Sequence, residues 1–467
     1  MSPNVVGFSF VVLGVFLLAG KWVRRKVTLF RTLFLPSSII AGFLALFLGP
    51  EGLGRLMRQF ESVDYFDFGV LTEDIVDVWS TLPSLLINVI FASLFIGKAV
   101  PKIKDIWSVS GPQVLMGYMV SFGQYAVGLF VSLAILTPVF DLSPLAGGLI
   151  EIGFVGGHGT AAGLADTFDQ LGFPEGRDLA LGLATIGIMS GVLLGIVLIN
   201  WGKSKGHVKF LNEETPLSSN EKEALSDFDR RERKQRSDQD SLEALSYHLA
   251  IVGLAILLAY LIQQGLIILE TWTYGRWFDL EIMRYMPLFP IAMMSGMLLQ
   301  IYLKKRGKSD RINRSLINRI SGVSLDVLII SALATVKLTV IGTYFAPFFI
   351  LSGVAILWNL IAFIFLARVM IPYFWFERGI GDLGQAMGMT ATGLLLMKIA
   401  DPDNQSMAFE SFGYKQLLFE PFVGGGLFTA LSLPLIHTFG PVTMLIVTAM
   451  LTFGFFAVGV RVAYRRM

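Results

Sequence analysis

Residues 153–168 read GFVGGHGTAAGLADTF, with glycines at 153, 156, 157, 159 and 163, an imidazole at His158, a hydroxyl at Thr160, and the carboxylate Glu151 two residues upstream. A second stretch, GIGDLGQAMGMTATG at 379–393, carries Asp382, Gly388, Thr390 and Thr392. These are poor ingredients for covalent or metal catalysis. The chain has no cysteine, so thiolate chemistry and disulfides are excluded. Its 4 histidines have no metal-ligand spacing. The pattern does offer main chain that a ligand can approach closely at glycine, together with hydroxyl and carbonyl oxygens. Carbonyls suit a hard cation, and the amides at a helix start suit a carboxylate.

The surrounding chain sets the context. It has 467 residues, 54% of them hydrophobic and 15% charged, with a mean hydropathy of +0.66. Apolar runs of membrane-crossing length recur at 5–22, 33–49, 82–100, 113–136, 178–200, 246–269, 286–303, 321–342, 346–371, 416–437 and 441–463, about eleven spans by the length rule. The first run has no preceding positive charge and is followed by KWVRRK, which fits a retained span with its N-terminus outside rather than a cleaved signal. Alternating from there, Lys and Arg gather on one side, with Lys304, Lys305, Arg306, Lys308 and Arg311 forming one cluster, while the opposite loop at 51–80 is acidic. That bias places the C-terminus in the cytoplasm. The net charge of +2 gives no reason to expect nucleic-acid binding.

The halves resemble each other. PSSIIAGFL (36–44) parallels PIAMMSGML (290–298), SLFIGK (93–98) parallels ALATVK (332–337), and TAAGL (160–164) parallels TATGL (390–394), in the same order and at similar offsets. A repeat with an odd number of spans lies inverted relative to its partner, an arrangement found in secondary transporters. The expected fold is an all-α polytopic membrane protein: two inverted five-helix repeats, each with a re-entrant hairpin, plus one extra C-terminal helix. The repeats are 1–202 and 246–437, the polar stretch 203–245 is a cytoplasmic linker, and 438–467 is the extra span. The hairpins are 142–168 and 377–399, both too rich in Gly and polar residues to face lipid. Irregular backbone at membrane depth needs cover from protein or a water-filled cavity.

Two such tips meeting near the midplane would hold an anionic solute and a coupling cation. The candidate binding residues are Gly156, Gly157, His158, Gly159, Thr160, Gly388, Thr390 and Thr392, with Glu151 and Asp382 as intramembrane carboxylates that also serve structure in many proteins. Gly187, Gly191 and Gly195 share one helical face, suited to packing against the first hairpin or to dimerisation. Three other classes compete. GIGD at 379–382 suggests an intramembrane aspartyl protease, but no Tyr-Asp pair supplies its partner. An ATP-driven pump lacks its phosphate loop, since GxxxxGK[ST] does not occur. A channel with re-entrant loops remains the runner-up.

GGHGT at 156–160 followed by DLALGLATIG, LPSSIIAGFL at 35–44, and GMTATG at 388–393 together resemble the bacterial sodium/glutamate symporter family over about residues 30–437. The resemblance implies glutamate uptake across the inner membrane with Na⁺ as coupling ion and no other cofactor. It also implies an elevator motion of the hairpin domain, a homodimer, and Na⁺ on tip carbonyls near Gly157, Gly159 and Gly388. Asp382 where the family often has His, and Glu151 where it has a neutral residue, leave another carboxylate substrate or H⁺ coupling as alternatives.

The inverted repeat has a direct test. With no native cysteine to interfere, a Cys at Ala161 should label with an impermeant thiol reagent from outside in outward-facing states. A Cys at Ala391 should label only from inside, and substrate or Na⁺ should slow both. Labelling of both from one side under every condition would remove the inversion.

Overall fold

The computed structural model describes residues 2–32, 35–59, 68–98, 103–208, 242–273, 275 and 282–465. Most of the expected linker, 209–241, lies outside the described residues. The chain is helical throughout the described residues, and 9 of its helices are long and apolar enough to cross a membrane. They are Pro3–Lys26, Ser37–Arg58, Glu73–Ser93, Ile106–Phe140, Glu175–Ser204, Ala244–Trp272, Arg314–Ala334, Phe345–Met370 and Pro441–Tyr464. Leu288–Lys305 is a further apolar helix of 18 residues.

Burial sorts these helices into inner and outer ones. In Ala244–Trp272, Pro3–Lys26 and Pro441–Tyr464 only 17–22% of the apolar window is covered by protein, against 67% in Ile106–Phe140 and 61% in Arg314–Ala334. The first three present bare leucine, valine and phenylalanine outward, as lipid-facing helices do. Pro441–Tyr464, the span without a counterpart in the first half, packs along Ile106–Phe140 through Phe455, stacked on Tyr118 and Phe122 at 5.0 and 5.6 Å between ring centroids. Small residues let the helices close up without a hydrophobic driving force. A Cβ on Gly20 would lie 2.5 Å from the Ser37 carbonyl oxygen, and one on Gly296 would lie 2.2 Å from that of Ala92.

Two segments fail to run as single helices. The first comprises a 3₁₀ turn Pro144–Gly148, the helix Leu149–Phe154, a break, the helix Gly157–Gly163 and the helix Ala165–Gln170. Gly157 takes φ +70°, a conformation glycine reaches without a Cβ penalty. After the break the chain returns along Glu175–Ser204, with His158 beside Thr185 and Phe168 over Gly176. The second segment, Trp375–Ala400, breaks at Gly388 (φ −154°, ψ 38°) and Met389 (φ 70°, ψ 171°). Its arms fold against each other. A Cβ on Gly384 would lie 2.7 Å from Gly393 Cα, and one on Gly381 would lie 2.5 Å from Met397 Sδ. Each broken segment follows the same device, a π turn and a four-residue helix: Ser132–Leu136 then Thr137–Phe140, and Ala362–Leu366 then Ala367–Met370.

Two expectations from sequence need correction. The apolar run 416–437 is not a continuous span. It is a helix Ala408–Phe419, an irregular stretch at 420–426, and a helix Leu427–Phe439. Pro421 lacks an amide proton, and Gly424 and Gly425 adopt φ +72° and +96°, so the helical ladder cannot continue. The Gly187–Gly191–Gly195 stripe packs mainly on the second broken segment rather than on the first: added Cβ atoms would meet the Met387 carbonyl oxygen at 2.2 Å, Met387 Cβ at 3.1 Å and Leu396 Cδ1 at 2.4 Å. Only Gly187 also touches Phe154 of the first.

The glycine contact between the arms sets a stability prediction. Gly393→Ala would place its Cβ 2.4 Å from the Gly381 carbonyl oxygen, which is backbone and cannot rotate away. It should lower the thermal midpoint, at a cost of ~1–3 kcal/mol for overpacking. Gly413→Ala, with open space around it, should be neutral or stabilising. Equal melting of the two variants would mean that the arms do not touch.

Candidate functional site

The tips of the two breaks meet. A Cβ on Gly157 would lie 2.5 Å from Met389 Sδ, so the left-handed glycine of one break seats the side chain of the left-handed methionine of the other. Holding a non-glycine residue at such a φ costs of the order of 1–3 kcal/mol and persists where the surroundings enforce it. The enforcement comes from Glu175–Ser204, which runs past both tips. Gly388 sits against Ile188, while Gly187 and Gly191 sit against Met387.

Each break is held by the same small hydrogen bond. Thr160 Oγ1 donates to the Gly156 carbonyl at 3.0 Å, and Thr392 Oγ1 donates to the Gly388 carbonyl at 2.6 Å. Both thus use their single proton on backbone at the break. A carbonyl oxygen has a second lone pair, so the tips keep acceptor capacity for a cation. Gly159 packs on Ile87 and does not reach the other tip. Thr390, one residue past the second break, donates to Glu420 Oε1 at 3.3 Å and accepts from Gln416 Nε2 at 3.4 Å.

His158 is fully buried, with Nε2 3.0 Å from Thr185 Oγ1. The Thr185 hydroxyl gives its only proton to the Leu181 carbonyl, so the imidazole is the donor in this pair. Its Nδ1 is then a bare acceptor, buried and without a hydrogen-bond partner among the described residues. Among the described residues no cluster of three or more His, Cys, Asp or Glu is placed to hold a metal ion.

The two candidate carboxylates sit differently. Glu151 accepts from Tyr125 OH at 2.5 Å, from the Gly424 amide at 2.9 Å and from Thr429 Oγ1 at 2.9 Å. It therefore ties the first broken segment to the irregular stretch at 420–426. Asp382 lies on the first arm of the second segment. Its Oδ1 accepts from Lys415 Nζ at 2.7 Å and from Gln113 Nε2 at 3.3 Å, while its Oδ2 is buried with no hydrogen-bond partner among the described residues. Lys415 also donates to Gln385 Oε1 at 2.6 Å and lies over the Phe419 ring at 4.5 Å. Beside the pair is a cavity of about 10 Å³ whose lining includes Gly117, Ser121, Val155 and Gln385, room for roughly one water.

Lys415, Glu420, Tyr125, Thr429 and the glutamines at 113, 124 and 385 are absent from the sequence-based site. Lys415 precedes the apolar run 416–437 by one residue, where a lysine is ordinarily interfacial. The triple glycine at 424–426 was the available signal that this run is broken and its flanks buried. The glutamines carry no charge and gave none. Gln124 nevertheless donates to the Ala386 carbonyl at 2.8 Å, beside the second tip.

A family profile described as sodium/glutamate symporter matches residues 6–399. Among curated proteins, the chain is similar to the sodium/glutamate symporter of Haemophilus influenzae (strain ATCC 51907 / DSM 11121 / KW20 / Rd), 24% identical over 186 residues, 38% of this chain and 40% of that protein. The chain thus spans about two fifths of the length of the curated relative it matches.

Glu151 supplies a prediction. Tyr125→Phe removes one charged hydrogen bond in a site where Tyr125 is 1% exposed and Glu151 0% exposed. It should cost ~1.5–3 kcal/mol of stability, read as a lowered thermal midpoint of the detergent-purified protein. Unchanged melting would mean that the Tyr125 bond does not help to hold this carboxylate in place.

Proposed function

Because the chain belongs to the sodium/glutamate symporter family, a family of transporters and not of enzymes, we propose that it takes up glutamate across the inner membrane, driven by the Na⁺ gradient. Solute and ion are held between the two helix breaks. The observation that carries this reading is the contact of Gly157 with Met389, which joins two glycine-rich breaks inside the protein and surrounds them with His158, Thr390, Asp382 and Lys415.

The division of labour follows from donor types. Na⁺ takes carbonyl oxygens near Gly157, Gly159 and Gly388. A carboxylate of glutamate takes amides at the start of the helical arm that follows Met389, where dipole and free N–H groups favour an anion. His158 Nδ1 and the hydroxyls of Thr160, Thr390 and Thr392 complete the lining. Both tips and the helix Glu175–Ser204 pack together as a unit through Met387 against Gly187 and Gly191, Gly388 against Ile188 and His158 against Thr185. Toward the helix Glu73–Ser93 that unit presents Gly159 and Gly163 against Ile87, a small-residue, apolar contact across which it can slide. This supports an elevator motion with each hairpin entering from a different side of the membrane, the N-terminus outside and the C-terminus in the cytoplasm. The homodimer follows from the family alone.

The cavity beside Asp382 and Lys415 is far smaller than the ~300–1,000 Å³ of ordinary ligand pockets, so this part of the site has no room for a substrate-sized molecule without movement. Ala161 is fully buried, whereas Ala391 is exposed.

Uptake into proteoliposomes tests the reading. Labelled glutamate should accumulate under an inward Na⁺ gradient, saturate, and stop when Na⁺ is equal on both sides. Uptake that ignores Na⁺ and collapses with a proton gradient would transfer the coupling to H⁺. Non-saturating flux would favour the channel.

A further inference from the structure

We infer that the Asp382–Lys415 ion pair is the device that reads the α-amino and α-carboxylate groups of the substrate, and that the two side chains hold each other only while the site is empty. The inference rests on the transport reading above and adds what that reading leaves open: why a free amino acid is taken rather than a plain dicarboxylate.

The bonding of the pair is incomplete in a complementary way. The Lys415 ammonium has three protons; two go to Asp382 Oδ1 and Gln385 Oε1, and the third has no oxygen partner among the described residues. The Asp382 carboxylate has two oxygens; Oδ1 is engaged and Oδ2 is buried with no hydrogen-bond partner among the described residues. One donor and one acceptor are therefore open on the same pair, beside a cavity. The side chains are 1% and 2% exposed, so bulk water does not reach them. The cavity lies where substrate is expected. Val155, at the first break, and Gln385 and Asp382, on the arm leading to the second, line it together with Lys415.

A buried ion tolerates exchange of its partner far better than loss of it. An α-amino acid meets that condition. Its ammonium replaces Lys415 at Asp382, its α-carboxylate replaces Asp382 at Lys415, and neither buried charge is left alone. The net charge of the pair is unchanged, and the side-chain carboxylate remains for the tip amides. A dicarboxylate without the ammonium would leave Asp382 unpaired, and an amino acid without the α-carboxylate would leave Lys415 unpaired. Rejection of both follows from the same electrostatics. Gly117 gives the lysine its place, since a Cβ there would lie 2.6 Å from Lys415 Cε.

The test uses the full chain, purified and reconstituted in nanodiscs with Na⁺, and competition against labelled L-glutamate. The competitors are glutarate, which lacks only the α-ammonium, and 4-aminobutyrate, which lacks only the α-carboxylate. The wild type should bind each at least ~10-fold more weakly than glutamate. Asp382→Asn should weaken glutamate by ~10–100-fold while leaving glutarate unchanged or tighter. Lys415→Gln should weaken glutamate similarly and spare 4-aminobutyrate. Where a single variant leaves a lone buried charge and fails to fold, the double variant Asp382→Asn/Lys415→Gln removes both charges and should bind glutamate and glutarate equally. A wild type that accepts glutarate as well as glutamate overturns the inference while leaving Na⁺-coupled transport intact. Variants that melt normally and keep wild-type affinity and selectivity also overturn it and make the pair purely structural. A wild type that ignores glutamate but binds another amino acid in an Asp382-dependent manner would overturn the glutamate reading and uphold the role of the pair.

Discussion

The arrangement depends on one constraint: backbone that leaves helical geometry in the middle of a membrane protein finds neither lipid nor bulk water to bond to. The breaks at Gly156–Gly157 and Gly388–Met389 meet this constraint locally, with a threonine hydroxyl four residues on closing each open carbonyl. They meet it globally by burial. The first segment is enclosed from Leu145 to Leu164 except at Gly156, and the second is enclosed along most of its first arm. Enclosure of that kind demands a neighbour with almost no side chain, and the stripe Gly187–Gly191–Gly195 provides it. The long helix Glu175–Ser204 thus follows both breaks closely.

A third irregular stretch, 420–426, follows from the same logic. Its Gly424 amide is satisfied by Glu151, a carboxylate from the first broken segment. Glu151 accepts from three donors through both oxygens, whereas Asp382 is engaged through Oδ1 alone among the described residues. The two acids looked alike as intramembrane carboxylates. Their hydrogen-bond partners separate them: Glu151 bonds the stretch 420–426 and Asp382 bonds Lys415 and Gln113.

The layer of helices outside this unit contributes shape more than chemistry. Arg314 caps the end of Glu73–Ser93 by donating to the carbonyls of Ser93, Leu94 and Ile96 at 2.7, 3.2 and 2.5 Å, and Gln300 bonds the Gly97 amide and the Lys98 carbonyl at 2.8 and 3.2 Å. These bonds rigidify helix ends. The contact with the hairpin unit combines Gly159 and Gly163 on Ile87 with two hydrogen bonds, Thr167 to the Tyr285 carbonyl at 3.2 Å and Arg177 to Thr335 Oγ1 at 2.7 Å.

By itself the sequence determined the polytopic helical class, because runs of apolar residues at membrane length admit no other structure for their backbone. It determined the places of the first two breaks as well, since Gly-rich polar stretches such as 153–163 and 379–393 cannot face lipid. The match of TAAGL with TATGL put both at equivalent positions, and the structure finds a break beside each. Tertiary structure alone decided the rest. Lys415 looked interfacial because its neighbours in sequence are an apolar run; only the break at 420–426 and the approach of Gly117 bring it inside, against Asp382 across 33 residues of chain. The glutamines had no charge to mark them. The glycine stripe at 187–195 was legible as a packing surface but not as to partner, because a helix face states how close a neighbour can come and not which neighbour it is. Pairings of this kind depend on distances between elements far apart in the chain, which no local pattern records.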